Sequence, residues 1–94
     1  MNINDLKEIL VNKKLLHKYG IPDIHVFGSL VRGEKNPHDI DLFVQNFTDY
    51  KVLISFKNEL EALTGQKVDL VMEKYANPII MHRAKKEMIQ VHGA

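Results

Sequence analysis

The stretch VFGSLVRGEKNPHDIDLFV, Val26 to Val44, decides how the rest of the chain is read. One apolar run ends at Gly28-Ser29, and a second, Ile40 to Val44, is entered through Asp39 and interrupted by Asp41. Side chains two apart on an extended strand leave from the same face, so Asp39 and Asp41 would project together. Neighbouring carboxylates repel and need compensation. A divalent cation is the commonest form of it, and oxygen-only ligands favour magnesium or manganese. A Gly-Ser turn opening a helix is, on separate grounds, a seat for phosphate. The two features together point to a site that handles nucleotides.

Upstream, Leu6, Ile9, Leu10, Lys13 and Leu16 follow a helical spacing with one polar interruption, Asn4 is a candidate N-cap, and Gly20-Ile21-Pro22 is a stop. Ile24 to Phe27 predicts a short strand, Leu30 to Gly33 a helical turn, and Glu34 to His38 a polar loop broken by Pro37. Ile40 to Val44 predicts the second strand. Tyr50 to Leu63 predicts a helix with Thr48 or Asp49 as cap, Gly65 as terminator, and Leu53, Phe56, Leu60 and Leu63 on one face. Val68 to Met72 predicts a third strand. Asn77-Pro78 is a strong helix start, and that helix is expected to run to about Val91 with Ile80, Ala84 and Met88 inward. This order predicts an α+β fold: a small mixed β-sheet with helices packed on one face, as a single domain over residues 1–94.

Composition narrows the function classes. The 94 residues are 45% hydrophobic and 27% charged, ordinary for a soluble globular chain. A formal net charge of +1 argues against a dedicated nucleic-acid binder, so direct nucleic-acid binding is not expected. The absence of cysteine removes disulfides and thiolate metal sites and fits a reducing compartment. No apolar run approaches the roughly 20 residues needed to span a bilayer, and no signal-peptide pattern is visible. The expected setting is cytoplasmic.

The third strand adds an acid, Asp69, in the middle of an apolar run, where a carboxylate is unfavourable unless paired, hydrogen-bonded or metal-bound. If that strand lies beside the second, Asp69 joins Asp39 and Asp41 next to the Gly28-Ser29 turn. Three carboxylates so placed suit two-metal phosphoryl or nucleotidyl transfer, in which cations ~4 Å apart stabilise the attacking and leaving oxygens.

In combination, Gly28-Ser29, Arg32-Gly33, Asp39-Ile40-Asp41-Leu42 and Val68-Asp69-Leu70-Val71 resemble the minimal nucleotidyltransferases of the DNA polymerase beta superfamily. The resemblance covers nearly the whole chain, including the Asn77-Pro78 helix. It implies the nucleotidyltransferase (polymerase beta-like) fold, with ATP as substrate and two magnesium ions. Asp39 and Asp41 would bind both ions, and Asp69 would bind one and help deprotonate the attacking hydroxyl. Gly28 would let the backbone approach the triphosphate, Ser29 would hydrogen-bond a phosphate oxygen, and Arg32 would contact phosphate or anchor the loop. Minimal members of this kind are commonly antitoxins of HEPN/MNT toxin–antitoxin pairs, and they can transfer AMP from ATP to a tyrosine of the helical HEPN ribonuclease toxin. The chain departs from the pattern at His38, where Ser often precedes the first aspartate, and its loop between Gly33 and Asp39 is about one residue shorter than the commonest form. Both departures lie in the turn, not on the metal-bearing positions.

Plainer roles exist for each residue. Asp39 could cap a turn after Pro37, Asp41 could pair with a lysine, Ser29 could be an N-cap, and Arg32 could pair with Glu34 or another acid. His38 reads as a solvated loop histidine, and His17, His25, His82 and His92 share no metal-ligand spacing. His82, Arg83, Lys85 and Lys86 read as the solvated face of the last helix, and Met81 and Met88 as core. Three functions compete: AMP transfer to a protein hydroxyl, a catalytically weak or inactive module that neutralises the toxin by direct binding, and a nucleotidyltransferase acting on a small molecule or nucleic-acid end. The last ranks lowest because no second domain is evident to hold such a substrate. Homo- or hetero-oligomerisation is left open.

Overall fold

A computed structural model describes residues 1–34, 39–45, 47 and 49–92, with the side chain of residue 92 excluded. Pro37 and His38, and with them the polar-loop and histidine readings, lie outside the described residues, as does the alternative cap Thr48.

The first helix, α1 (Ile3–Asn12), starts at a capping box two residues earlier than expected. Asn2 Oδ1 accepts the Asp5 N–H at 2.9 Å and Asp5 Oδ2 accepts the Asn2 N–H at 3.0 Å, which places Asn4 inside the first turn. The helix does not run unbroken to Gly20. Lys14 takes a left-handed backbone with φ of 48°, and a second helix, α2 (Leu15–Tyr19), follows. The break has a packing reason. Leu6, Leu10, Leu15 and Leu16 are all buried, and a continuous helix could not turn the adjacent pair Leu15-Leu16 onto the same stripe as Leu6 and Leu10. One left-handed residue resets the phase, at a cost of about 1–2 kcal/mol.

Strands β1 (Asp23–Phe27), β2 (Asp39–Val44), β3 (Lys67–Met72) and β4 (Ile89–His92) form a mixed sheet in the order β3-β2-β1-β4. Hairpin neighbours β1 and β2 are antiparallel, β3 joins β2 in parallel, and β4 runs antiparallel to β1. The parallel pair needs a crossover, and α4 (Tyr50–Thr64) supplies it. Asp49 Oδ1 caps α4 by accepting the Val52 N–H at 3.2 Å, and Gly65 closes it in a left-handed conformation. Glu61 Oε2 then accepts the Val68 N–H at 2.8 Å, fastening the start of β3 to the helix that precedes it.

Alternation along the strands sorts two cores. Ile24 and Val26 of β1, Ile40, Leu42 and Val44 of β2, Val68 and Met72 of β3, and Val91 of β4 face Leu6, Leu10, Leu15, Leu16, Leu53, Phe56 and Leu60. This is the expected helical layer on one face, with one correction: Leu63 is 39% exposed and lies off the buried stripe. Tyr19 meets Phe56 edge-on at 6.0 Å, while Glu59 Oε1 accepts from the Tyr19 hydroxyl at 2.6 Å and from Lys18 Nζ at 2.7 Å, tying α2 to α4. These hydrogen bonds hold the Glu59 carboxyl below its ordinary range.

The C-terminal segment differs most from expectation. The final helix, α5 (Pro78–Ala84), is capped by Asn77 Oδ1, which accepts the Ile79 N–H at 2.9 Å, but it ends at Ala84. Ile89 to His92 is strand β4 and not the continuation of a helix to Val91. Ile89-Gln90-Val91-His92 alternates apolar and polar with β-branched residues, and Val91 is buried opposite Ile24 in register. The inward residues of α5 are Met81 and Ala84. Ile80, expected inward, is 59% exposed. Met81 and Ala84 pack on Phe43 with Phe27, Val71 and Met88 around them, a smaller cluster on the face opposite the main core. His82, Arg83, Lys85 and Lys86 are exposed, as their pattern implied.

Phe56 is fully buried at the centre of the α2–α4–sheet contact. Phe56→Ala should lower unfolding free energy by about 3–5 kcal/mol in urea titrations, a large share of the total for a domain of this size.

Candidate nucleotidyl-transfer site

The face that carries the smaller cluster also carries the acids. On β2, Asp39 and Asp41 alternate with buried Ile40 and Leu42, so both leave the sheet away from the main core. On β3, Asp69 lies beside Asp41 in the parallel register, with Asp39 beside Lys67. On the other flank, Phe27 pairs with Asp41, so β1 ends and Gly28 begins beside that carboxylate. The three aspartates therefore share one face and one end of the sheet, and the Gly28 turn borders them.

Gly28 is required by two independent constraints. Its φ is 80°, and a Cβ placed there would lie 2.2 Å from Asp41 Oδ2. The residue is the N-cap of the short helix α3 (Ser29–Arg32), so Ser29, which could have been the cap, is the first helical residue. Its side chain is half-buried. Leu30 anchors the turn in the main core.

Among the described residues, no three His, Cys, Asp or Glu side chains are gathered closely enough to hold a metal ion as they stand. Asp69 leans toward Lys67 Nζ at 3.6 Å, the one described ion pair that reaches any of the three aspartates, and both side chains are well exposed. Such a pair is worth little and is readily exchanged. The donor set nevertheless suits a hard divalent cation, since every candidate ligand is a carboxylate oxygen. The charge state of Asp41 agrees. Its carboxyl titrates above its ordinary value, first because burial desolvates it, then because Asp69 and Asp39 repel its negative form, with Arg32 offsetting part of this and Glu87 adding to it.

Arg32 lies between two acids. Its Nη2 donates to Glu34 Oε2 at 3.0 Å, which bears out the structural pairing considered from sequence, and its Nη1 donates to Glu87 Oε1 at 3.1 Å and Oε2 at 3.4 Å. Glu34 first, and Glu87 after it, hold the guanidinium firmly protonated. Glu87 Oε1 also accepts the Gly28 N–H at 3.0 Å. Sequence reasoning missed Glu87. Its only mark is that it is a lone acid closing the basic run His82 to Lys86.

Concavities among the described residues lie both beside this face and apart from it. A cleft of about 200 Å³ between α4 and β3 is lined by Tyr50, Leu53, Lys57 and Asp69 among others, and it abuts the acidic face. An open depression of about 640 Å³ at the α1–α2 junction is lined by Val11, Lys14, His17 and Pro22, and by none of the three aspartates. Its size does not make it the site, because it gathers no convergent charge.

A Gly-Ser turn against a strand that carries two aspartates, with a third aspartate in register on the parallel neighbour, defines a nucleotidyltransferase. The chain belongs to the polymerase beta nucleotidyltransferase family, whose model matches residues 4–93. It is 35% identical over 97 residues to the protein adenylyltransferase MntA of Thermococcus cleftensis, and the alignment covers 97% of each chain. Its backbone is similar to that of a toxin–antitoxin crystal structure with AMP-PNP, at 26% identity and a TM-score of 0.69, covering 98% of this chain and 75% of the other. It also shares its fold with the complex of a tri-AMPylated Shewanella oneidensis HEPN toxin and its MNT antitoxin, at 23% identity and a TM-score of 0.65, covering 94% of this chain and 73% of that one.

Two substitutions check the geometry. Gly28→Ala should destabilise the fold by about 1–3 kcal/mol, measured by denaturant unfolding, because the new methyl group displaces Asp41 and the backbone is strained. The Asp41 shift has a sign that can also be read. Its folded-state value lies above the unfolded one, so the stabilisation from its proton is complete below about 3.8 and is lost as pH rises through the folded value. Ionised Asp41 therefore weakens the fold at neutral pH. In chelator-treated buffer, Asp41→Asn should raise Tm at pH 7 by about 2–5 °C, and the difference should shrink toward pH 3.

Proposed function

We propose that the chain transfers AMP from ATP to a hydroxyl of a partner HEPN toxin and thereby acts as its antitoxin, with magnesium as the cation and a tyrosine as the acceptor. The observation that carries this reading is the in-register placement of Asp41 and Asp69 beside the side-chain-free Gly28. The relatives support the same class: the Thermococcus cleftensis protein is a protein adenylyltransferase, and a similar structure is a toxin–antitoxin complex with AMP-PNP.

In this reading Asp39, Asp41 and Asp69 would hold the divalent cations, which would supply charge neutralisation for the transfer. Gly28 leaves room for the triphosphate at the end of β1, the Ser29 hydroxyl donates to a phosphate oxygen, and Arg32 keeps donors free for phosphate beyond those given to Glu34 and Glu87. The acceptor oxygen forms a bond to the α-phosphorus, the bond from that phosphorus to the bridging oxygen breaks, and pyrophosphate leaves. The acceptor proton passes to the Asp69 carboxylate or to water beside it. A small domain with an open acidic face suits an acceptor that brings its own surface, as a folded protein does. The setting would be the cytoplasm, where ATP and magnesium are abundant.

The test is transfer of label from α-labelled ATP, with magnesium, to a HEPN protein encoded beside this chain. Asp39→Ala combined with Asp41→Ala should reduce transfer by at least about 10³-fold and abolish neutralisation of the toxin. Full neutralisation by that double variant would instead establish the binding-only alternative, and absence of label transfer by the wild-type chain would reject the enzymatic reading.

A further inference from the structure

We propose that Glu87 is the positioning residue of the nucleotide seat, clamping the Gly28 turn and Arg32 in the arrangement that receives the triphosphate. The inference rests on the nucleotidyl-transfer reading above and assigns a function to a residue outside the sequence motifs that define it.

Three observations carry it. First, one carboxylate oxygen is shared by two partners in the motif: Glu87 Oε1 accepts the Gly28 N–H at 3.0 Å and the Arg32 Nη1 proton at 3.1 Å. Gly28 is the residue whose position relative to Asp41 leaves no room for a side chain, so an error in its placement is transmitted directly to that carboxylate. Second, the short helix α3 gives the Gly28 N–H no intrahelical acceptor, because the first N–H groups of any helix lack one. Glu87 supplies the acceptor from 59 residues away, and its side chain is only 29% exposed, so the bond is partly shielded from competing water. Third, Arg32 is held at both ends, by Glu87 on Nη1 and Glu34 on Nη2. A long flexible side chain is thereby biased toward one arrangement before any ligand arrives, chiefly by the less exposed Glu87, which lowers the ordering entropy that binding would otherwise incur. Glu87 reaches the motif from the turn between α5 and β4, so strand β4, paired with β1 along Asp23 to Val26, keeps the clamp in register.

Glu87 touches neither the aspartates' carboxylates nor, in this assignment, the nucleotide. It acts through Gly28 and Arg32, and the expected signature is coupling to Arg32. The experiment measures binding of a non-hydrolysable ATP analogue with magnesium, by calorimetry, to the full chain and to Glu87→Gln, Glu87→Ala, Arg32→Ala and the double variant Arg32→Ala with Glu87→Ala. Glu87→Ala should weaken binding about ten-fold, and Arg32→Ala by a similar factor. The double variant should bind more weakly than Arg32→Ala alone, but by less than the full Glu87→Ala factor, because without Arg32 Glu87 still holds the Gly28 N–H and has lost only its second partner. Glu87→Gln keeps an acceptor for Gly28 and the same shape, so it should retain the wild-type Tm within about 2 °C and lose about three-fold in affinity. Wild-type or tighter binding by Glu87→Ala, with Arg32→Ala weakened, would overturn this proposal and leave the nucleotide seat intact. Independent losses that multiply in the double variant would overturn it as well. No binding by the wild-type chain would overturn the nucleotide-site reading itself and this proposal with it, whereas undiminished binding by Arg32→Ala would overturn this proposal alone.

Discussion

The pairing of Phe27 with Asp41 across β1 and β2 governs the layout of this protein. It brings the end of β1 against a carboxylate, and the chain can continue only because the next residue has no side chain and accepts a φ of 80°. A slip of one residue would turn Asp39 and Asp41 into the main core and Ile40 and Leu42 out of it. The same register, passed on through the parallel β2–β3 pair, sets Asp69 beside Asp41. Hydrophobic burial on one face of the sheet thus fixes the positions of the charges on the other.

Those charges oppose one another. Three carboxylates on adjacent strands, with Glu87 close by, are offset in the described residues by Arg32 and by the loose Lys67 pair. The core is ample enough to tolerate this: among the described residues the larger cluster contains seventeen buried apolar side chains, drawn from α1 to α4 and from all four strands. Stability is generated behind the sheet and spent in front of it, where the fold keeps acids in place that it would be more stable without. This division is the usual relation between a scaffold and a functional site.

Much of this was readable in the chain because it rests on local patterns. The strands around Val26, Leu42 and Leu70 announce themselves by apolar runs bounded by glycine or polar residues, and the aspartates stand out as acids within such runs. The Asp49 cap and Gly65 stop of α4 are equally local signals. The failures share a cause. Ile80, Ala84 and Met88 have helical spacing, which concealed that Ile89 to His92 alternates with period two, and only the open edge of β1 decides between the two readings. The break at Lys14 is a demand of tertiary packing on Leu15-Leu16, with no glycine to mark it. Glu87 carries no local signal of its role, since its partners are 55 and 59 residues away.

The position of Glu87 has a consequence for the order in which this protein can mature. A chain emerging from the ribosome presents Gly28 and the aspartates early, and by Met72 three strands are available to pair. The acceptor for the Gly28 N–H and the strand that seats it beside β1 are made after the other three strands. The nascent chain therefore has its acidic residues before it has the brace that shapes their neighbour, and the site is completed only when synthesis has passed β4. A chain interrupted before Glu87 therefore lacks, by topology alone, the acceptor that the Gly28 N–H takes in the folded protein.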